Sequence, residues 1–253
     1  MKIKLYDGMN YIRILYEGPR AARAPRNVMV EMLNLRPDEF AIWCWDGKGS
    51  KGPRLAIYPE YKAKRTAQPT EIWATINLIR DMLRHTRAIQ VQVPGFEADD
   101  VIAQMTCQYV SEGHTVHIHS NDGDFGQLLQ LPGVTFNGKL KAPAEYLRLY
   151  KTCVGDPSDN IPGIKGFGQK AWDEFPKKEL LETLTAVMAG KQPALDAFKP
   201  QTKMWLEENP ALLKAFWDIV GFLPVPKELI NDNTTIGKEN VEYADATLKE
   251  FFN

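Results

Sequence analysis

The segment VHIHSNDGD, at residues 116–124, has the pattern of a short β-strand that runs into acidic residues. Its apolar, alternating residues favour a strand over Val116–His119, and the Asp-Gly pair after it is typical of a turn. Three other stretches end in the same way, namely Ile3–Tyr6 before Asp7-Gly8, Phe40–Trp45 before Asp46-Gly47, and Ile89–Val93 before FEADD at residues 96–100. We therefore predict four strands that each lead into carboxylates.

Helical patterns lie between these strands. Apolar residues recur at spacings of three and four in Val28–Leu35, Glu71–Leu83 and Ala98–Val110. Alternating strands and helices predict an α/β fold, with right-handed crossovers and a mainly parallel central sheet that carries helices on both faces. The second half changes character, because its patterns are helical: Pro143–Thr152, Gly168–Phe175, Lys178–Ala189 and Pro210–Val220. We predict an α/β domain over residues 1–141 and a helical region over residues 142–253.

Seven carboxylates follow the predicted strands. The carboxyl ends of parallel strands lie at one edge of a sheet, where open α/β sheets bind their ligands. Acids gathered there raise one another's pKa unless cations separate their charges. Hard divalent ions with oxygen ligands do this, and two such ions promote phosphoryl displacement. A single Asp-Gly pair is as well explained by turn chemistry, but the four strand ends together predict a metal site.

The composition hides an uneven distribution of charge. The 253 residues include 31 basic and 32 acidic side chains, for a net charge of −1. Between Gly47 and Arg65, however, Glu60 is outnumbered by six basic residues, Lys48, Lys51, Arg54, Lys62, Lys64 and Arg65. Such a loop can bind phosphates, and Tyr58 or Tyr61 could stack on an unpaired base. The alternative interpretation is a solvated surface run of charge.

A glycine-rich stretch begins the second half, GDPSDNIPGIKGFGQK at residues 155–170. Its spacing of Gly163, Gly166 and Gly168 lets backbone amides approach a phosphate just before a helix begins. The pattern is weak alone and becomes stronger beside nearby acids and lysines, which are Asp156, Asp159, Lys165 and Lys170.

Other sequence features exclude several classes of protein. Apolar residues make up 44% of the chain, and no run reaches the length of about 18 that a membrane span needs. The beginning MKIKLYDG lacks a signal-peptide core. Cys44, Cys107 and Cys153 show no disulfide or zinc spacing. We expect a cytoplasmic protein with no membrane partner.

The motifs together resemble the flap endonuclease/5′→3′ exonuclease family, which includes polymerase-associated bacterial and phage 5′ nucleases. The resemblance covers about residues 1–175 and rests on YDGMN, WDG with YPEYKAKR, FEADDVIA, SNDGDFGQLL and GDPSDNIPGIKGFGQKA. It implies a PIN-like nuclease core with a basic arch loop at about 47–69. It also implies a helical DNA-binding subdomain with a helix-three-turn-helix at about 155–175.

The resemblance assigns roles residue by residue. The first metal ion is implied at Asp7, Asp46, Glu97, Asp99 and Asp100, and the second at Asp122, Asp124, Asp156 and Asp159, with Asp122 between the two. The residues implied to act in catalysis are Asp7, Asp46, Lys62, Arg65 and Asp122. DNA contacts are expected at Arg54, Tyr61, Lys62, Lys64, Arg65, Gly163, Lys165, Gly166, Gly168 and Lys170.

The implied function is structure-specific hydrolysis of DNA at 5′ ends and 5′-flap junctions by a two-metal mechanism, in replication or repair. The implied cofactors are two Mg²⁺ ions, with Mn²⁺ as a substitute, and K⁺ at the helix-three-turn-helix. The expected partners are flapped, nicked or branched DNA, RNA primers and a replicative polymerase, for a monomer that is phage-encoded or bacterial. Two alternatives stay open, a non-catalytic DNA-junction binder and a PIN-type ribonuclease.

Overall fold

The computed structural model describes residues 1–18, 24–66 and 69–250. The chain forms two compact units. The first comprises Met1–Lys51, Ala67–Lys139 and Pro224–Asn253, and the second comprises Gly52–Thr66 and Leu140–Leu223. This division differs from the expected boundary after residue 141, because residues 52–66 group with the helical unit and residues 224–253 group with the sheet.

The first unit is built on a six-stranded sheet with the order β5-β4-β1-β2-β3-β6. The strands are β1 Lys2–Asp7, β2 Glu39–Cys44, β3 Ile89–Val91, β4 Thr115–His119, β5 Val134–Phe136 and β6 Thr234–Ile236. Neighbours from β5 to β3 pair in parallel, and β6 pairs antiparallel with β3. The predicted mainly parallel sheet is confirmed. The sequence did not predict β5 and β6, which are only three residues long.

Helices make up most of the rest of the described chain. They are α1 Gly8–Glu17, α2 Ala24–Leu33, α3 Gly52–Ile57, α4 Thr70–Leu83, α5 Ala98–Ser111, α6 Leu147–Val154, α7 Gln169–Glu174, α8 Lys177–Met188, α9 Pro200–Glu208, α10 Pro210–Val220, α11 Lys227–Asp232 and α12 Val241–Glu250. Short 3₁₀ helices cover Gly123–Gln130, Ala144–Tyr146 and Pro157–Asp159. Among the described residues, no helix is long and apolar enough to cross a membrane.

The sheet carries helices on both faces, as expected. Tyr6 and Trp43 lie on one face in a buried cluster with residues of α1, α2 and α4, including Ile12, Met32 and Ile76. Helix α5 contacts β1, β2 and β4. Because side chains alternate along a strand, the neighbours of Tyr6 and Trp43 in the sequence point to the opposite face.

An aromatic row crosses the sheet near the carboxyl ends of its strands. The Tyr6 ring stacks on Trp43 at 4.4 Å and on His119 at 4.1 Å between centroids, and Trp43 stacks on Trp45 at 5.9 Å. The pKa of His119 is lowered to about 3, mainly by burial and also by the neighbouring His117 and Lys4. His119 is therefore a neutral packing residue.

The second unit is helical, in agreement with the predicted helical region. Its main core gathers apolar side chains from α6 to α10, among them Leu149, Trp172, Leu184, Leu206 and Leu213. The last carbonyls of α10 have no partner inside the helix. Buried Arg54 donates to two of the carbonyls at this end, Ile219 O at 3.1 Å from Nε and Gly221 O at 3.0 Å from Nη2. Arg54 thus ties α3 to the end of α10.

Candidate active site

The acidic strand ends of the first unit meet at one edge of the sheet. In the parallel register, Asp7 is paired with Cys44, and Tyr6 is paired with His119. Asp46 follows β2 by two residues, and Asp122 follows β4 by three. The register therefore places Asp7, Asp46 and Asp122 at the carboxyl ends of three adjacent strands.

The glycine after each of these acids has a steric reason. A Cβ atom on Gly8 would lie 2.4 Å from the Trp45 ring, and one on Gly47 would lie 1.8 Å from the Val93 carbonyl oxygen. At Gly123 the Lys139 carbonyl oxygen would be 3.2 Å away. The glycines of the Asp-Gly pairs therefore have a packing role as well as a turn role, because they let neighbouring residues approach the strand ends closely.

Asp7 is the most deeply placed of the three acids. Its carboxylate caps α1 by accepting from the Asn10 amide at 3.2 Å, and it also accepts from the Ser120 hydroxyl at 3.1 Å. The pKa of Asp7 is raised to about 7, mainly by burial and also by the charges of Asp46 and Asp122, while the two hydrogen bonds act in the opposite direction. The protein thus holds a carboxylate where its negative charge is disfavoured.

Two polar residues that the sequence analysis did not assign organise this edge. The Ser120 hydroxyl donates to Asp7 and accepts from the Asp122 backbone amide at 3.1 Å. The Asn10 side-chain oxygen accepts from the Asn121 amide at 3.1 Å. Both residues stand inside the YDGMN and SNDGD motifs, and a polar side chain directly beside the acids at a buried strand end was the signal available in the sequence.

The FEADD segment lies at the beginning of α5. Glu97 is buried at the N-cap position, Asp100 is fully buried in the first turn, and Asp99 is partly exposed. The Ala98 amide donates to the Asp46 carboxylate at 2.9 Å, so α5 and Asp46 are directly linked. Burial raises the pKa of the Cys44 thiol, and the charges of Asp7 and Asp99 contribute. Asp99 thus acts on the same edge of the sheet.

The residues at this edge fit a divalent cation. Three carboxylates interact there, and burial with mutual repulsion keeps the pKa of Asp7 high. A hard cation relieves such repulsion and takes oxygen ligands of this type. The residues of the first unit that could supply ligands are Asp7, Asp46, Glu97, Asp99, Asp100, Asp122 and Asp124. Asp124 is partly buried, and its amide donates to the Asp122 carboxylate at 3.0 Å.

The second unit carries its own pair of acids. Oxygens of Asp156 and Asp159 lie within 4.8 Å of each other, and both residues are buried. Asp156 forms an ion pair of 2.7 Å with buried Lys151 and accepts from the amide and the hydroxyl of Ser158. Burial raises the pKa of Asp156, but the Lys151 ammonium and the Ser158 hydrogen bonds outweigh this effect, so the net pKa is lowered.

Asp159 is paired with the two basic residues implied in catalysis. Its Oδ1 atom lies 3.2 Å from Arg65 Nη2 and 3.9 Å from Lys62 Nζ. Lys62 is only 8% exposed, its backbone has a left-handed φ of 54°, and its ammonium lies 4.7 Å from the centre of the Tyr61 ring. Left-handed backbone is unusual for a lysine and marks a position that its surroundings enforce.

Other expected DNA contacts occupy different environments. Tyr61 is 3% exposed and packs with Ile161 and Phe216, and Arg54 is also 3% exposed. Lys64 is exposed. The expected arch, about residues 47–69, contains α3 and buried side chains in its described part, residues 47–66 and 69. Residues 67 and 68 lie outside the described residues, and the arch itself stays a prediction.

The segments around Lys62 and Asp159 bind each other through their backbones. The Lys62 amide donates to Asp159 O at 3.0 Å, and Arg65 Nε donates to Ser158 O at 3.2 Å. The Asn160 side-chain amide donates to Glu60 O at 2.8 Å. The YPEYKAKR and GDPSDNIPG motifs, about a hundred residues apart in sequence, thus form one structural element of the second unit.

The glycine-rich stretch forms a tight connection between α6 and α7. Gly163 and Gly166 have left-handed φ values of 75° and 81°. A Cβ atom on Gly163 would lie 2.6 Å from the Cys153 carbonyl oxygen. Gly168 is the N-cap of α7, and Lys165 and Lys170 are exposed. The stretch presents exposed backbone and lysines next to a short helix.

Comparison with protein-family models shows which family the chain belongs to. The family described as 5′-3′ exonuclease, N-terminal resolvase-like domain matches residues 20–146, about half of the chain. The chain belongs to the flap endonuclease/5′→3′ exonuclease family. The match contains most of the acidic motifs of the first unit and the whole YPEYKAKR segment.

Curated relatives of this exonuclease family are bacterial DNA polymerases I. The thermostable enzyme of Thermus thermophilus is 37% identical over 129 residues, which cover 46% of this chain and 16% of the relative. The enzyme of Caldicellulosiruptor bescii is 28% identical over 235 residues, 79% of this chain and 27% of the relative. The chain therefore spans about a quarter or less of the length of these curated relatives.

Solved structures of the exonuclease family share the fold. One is described as divalent metal ions (zinc) bound to the 5′-exonuclease of bacteriophage T5; it has a TM-score of 0.64 and 18% identity, and covers 100% of this chain and 98% of its own. Another is a flap endonuclease of bacteriophage T5, described as a pseudo-enzyme-product complex with DNA and metal ions. It has a TM-score of 0.62 and 17% identity, and covers 100% of both chains.

Proposed function

We propose that this protein is a structure-specific 5′ nuclease that hydrolyses DNA phosphodiester bonds at 5′ ends and 5′-flap junctions. One observation carries the proposal: Asp7, Asp46 and Asp122 follow adjacent strands at one sheet edge, where burial, with a contribution from the charges of Asp46 and Asp122, raises the pKa of Asp7 to about 7. A site that holds mutually repelling carboxylates suits divalent cations. Family membership makes phosphodiester hydrolysis the chemistry that best fits such a site.

The acids of both units are the proposed metal ligands. In the first unit these are Asp7, Asp46, Glu97, Asp99, Asp100, Asp122 and Asp124, and in the second unit they are Asp156 and Asp159. A pair of bound divalent ions would supply Lewis-acid chemistry that activates water and stabilises the leaving oxygen. Ser120 and Asn10 orient Asp7, and the Ala98 amide orients Asp46.

The basic residues of the second unit are the proposed phosphate ligands. Lys62 and Arg65 neutralise charge on the phosphate, which is most effective when the cations are already in place. Their contacts with Asp159 provide this placement. Lys64, Lys165, Lys170 and the glycines of residues 163–168 contact the DNA backbone, which positions a duplex without reading its sequence. Arg54 and Tyr61 are buried, so their proposed role is to support the second unit through its packing and not to contact DNA.

The proposal extends to cofactors and setting. The ions are Mg²⁺, with Mn²⁺ as a substitute, and K⁺ binds at the glycine-rich stretch. The protein acts as a cytoplasmic monomer, phage-encoded or bacterial, in replication or repair. Its substrates include flapped, nicked and branched DNA and RNA primers on DNA, and a replicative polymerase is its partner.

The test uses a duplex with a labelled 5′ flap, incubated with Mg²⁺ or with EDTA. Three proteins are compared: the wild type, Asp122→Asn and the control Asp38→Asn. Asp38 is exposed and precedes β2, at the opposite end of that strand from Asp46. We expect cleavage near the junction by the wild type and the control, and none with EDTA or with Asp122→Asn.

Each alternative function has a distinct outcome in this test. Binding of the flap without cleavage in Mg²⁺ or Mn²⁺ would indicate a junction-binding protein. Cleavage of single-stranded RNA alone would indicate a PIN-type ribonuclease. Cleavage by Asp122→Asn at the wild-type rate would show that the metal ligands have been assigned to the wrong residues.

A further inference from the structure

Lys62 is buried in a conformation that its own chemistry disfavours. Its φ of 54° is left-handed, and its side chain is almost fully enclosed. A lysine keeps such a backbone only when surrounding contacts define it. Contacts of this kind come from residues 158–160, which lie outside the YPEYKAKR segment.

Asn160 reaches into that segment with its side chain and binds its backbone. Its amide donates to the Glu60 carbonyl oxygen at 2.8 Å, two residues before Lys62. Its own backbone is left-handed, with φ 60° and ψ 35°, at the end of the 3₁₀ helix Pro157–Asp159. Asparagine tolerates this conformation better than most residues. The turn therefore aims the Asn160 side chain at the segment.

The neighbouring contact makes the arrangement specific. The Asp159 carbonyl oxygen accepts from the Lys62 amide at 3.0 Å, and the Asp159 carboxylate lies 3.9 Å from Lys62 Nζ. Asn160 thus fixes the peptide of Glu60 while Asp159 fixes Lys62 itself. Between these two anchors the chain has to adopt the left-handed turn that buries the lysine.

We propose that Asn160 is a positioning residue that holds Lys62 in place through the Glu60 carbonyl. The position of Lys62 follows from these contacts alone. Only the effect of that position on catalysis rests on the proposed nuclease function. Without the Asn160 amide, residues 60–62 relax, and the lysine ammonium leaves its place beside Asp159.

The first experiment measures the position of Lys62 without any activity assay. Wild type, Asn160→Gly and Asn160→Asp are acetylated in the absence of DNA and metal, and the rate at each lysine is followed by mass spectrometry. Glycine keeps the left-handed backbone but lacks the amide, and aspartate keeps the shape but lacks the donor. The control is Asn209→Gly, which removes an amide that donates to Trp205 O at 2.9 Å in the same unit.

We expect faster acetylation of Lys62 in both Asn160 variants and an unchanged rate in the control. Lys151, which is buried in the same unit, should stay slow in all proteins, and exposed Lys64 should stay fast. An unchanged rate at Lys62 would overturn the proposal. A parallel increase at Lys151 would also overturn it, because the variant would then loosen the whole unit.

The second experiment measures the catalytic consequence by a double-mutant cycle on a flap substrate. We expect Asn160→Gly to lower kcat about 10–100-fold with little change in KM, since small displacements of a catalytic group are costly. Added to Lys62→Ala, Asn160→Gly should cause no further loss, because both act through one ammonium. Independent, additive losses would overturn the catalytic role of Asn160. Full activity of Lys62→Ala would refute the proposed role of Lys62, while the acetylation result would still decide the positioning.

Discussion

Lys151 Nζ lies 2.7 Å from Asp156 Oδ2, and both side chains are buried in the second unit. The pair places the positive charge of Lys151 in direct contact with Asp156, a proposed metal ligand. Its effect is visible in the net lowering of the Asp156 pKa despite burial. Because Asp156 remains ionised, it can act as a ligand without first losing a proton.

Replacement of Lys151 by methionine should strongly destabilise the protein. The variant leaves the Asp156 carboxylate buried without its cation, which typically costs about 3–5 kcal/mol. The measurement is urea denaturation followed by circular dichroism. The control is Lys170→Met, whose side chain is 82% exposed and pairs with Glu174 at 3.9 Å. Equal denaturation midpoints for the two variants would contradict the structural role of the buried pair.

The free energy of unfolding should fall at acid pH, because Glu39 becomes protonated there. Burial raises the pKa of Glu39, but hydrogen bonds from the Arg36 amide and guanidinium and from Lys4 outweigh this effect and bring it to about 2. A lowered pKa stabilises the folded protein above the unfolded pKa of about 4.3 and loses this effect as the pH falls toward 2.

The comparison is between wild type and Glu39→Gln in denaturation curves from pH 7 to pH 2. We expect the wild type to be more stable by about 1.5–3 kcal/mol at pH 7, the usual worth of hydrogen bonds to a charged group. The difference should shrink between about pH 4.3 and pH 2. A difference that stays constant over this range would refute the assigned pKa.

Arg54→Met should lower the stability of the fold, as expected for a buried structural residue. The variant removes the donors to Ile219 O and Gly221 O, and each buried carbonyl left unpaired costs about 1–3 kcal/mol. Lys64→Met is the matched control, because Lys64 is exposed. We expect Lys64→Met to keep wild-type stability and to reduce the salt dependence of DNA binding by about one phosphate contact. If Arg54→Met matches Lys64→Met both in stability and in the salt dependence of DNA binding, the hydrogen bonds from Arg54 to the end of α10 do not stabilise the fold.

Ser120→Ala should weaken metal binding while the fold persists. Its hydroxyl connects the Asp7 carboxylate with the Asp122 amide, and loss of such supporting contacts typically costs about 10–100-fold in metal affinity. The measurement is a Mn²⁺ titration by calorimetry. Ser111→Ala is the control, since that hydroxyl bonds to Gln108 O at the end of α5. Identical Mn²⁺ affinities for both variants would rule out a supporting role of Ser120.

Two glycines near the basic segment should respond differently to replacement by alanine. In Gly47→Ala the new methyl group would meet the Val93 carbonyl oxygen at 1.8 Å, so the loop after Asp46 has to shift. In Gly52→Ala nothing lies within 4 Å of the new methyl group, so no neighbour has to move. Thermal unfolding should show a clear loss of stability for Gly47→Ala and none for Gly52→Ala. Similar melting temperatures for the two variants would show that the loop after Asp46 can move away from the Val93 carbonyl oxygen without loss of stability.

The sequence allowed the acidic edge of the sheet to be predicted, because its signals are local. Asp7, Asp46 and Asp122 each follow a strand, and parallel pairing brings such ends together. The burial of Tyr61 and Lys62 could not be predicted, since a run of charges is typical of solvated surface. What encloses them is contact with residues about a hundred positions away, and single-sequence patterns carry no information on such contacts.

The pairing of β6 with β3 has a consequence for synthesis on the ribosome. Ile89 is opposite Ile236 in this pair, and residues 140–223, which form most of the second unit, lie between them in the chain. The first unit therefore cannot complete its sheet until the other unit has left the exit tunnel. Nascent chains that stop before residue 234 would display β3 as an open edge, a template for aggregation and for chaperone capture.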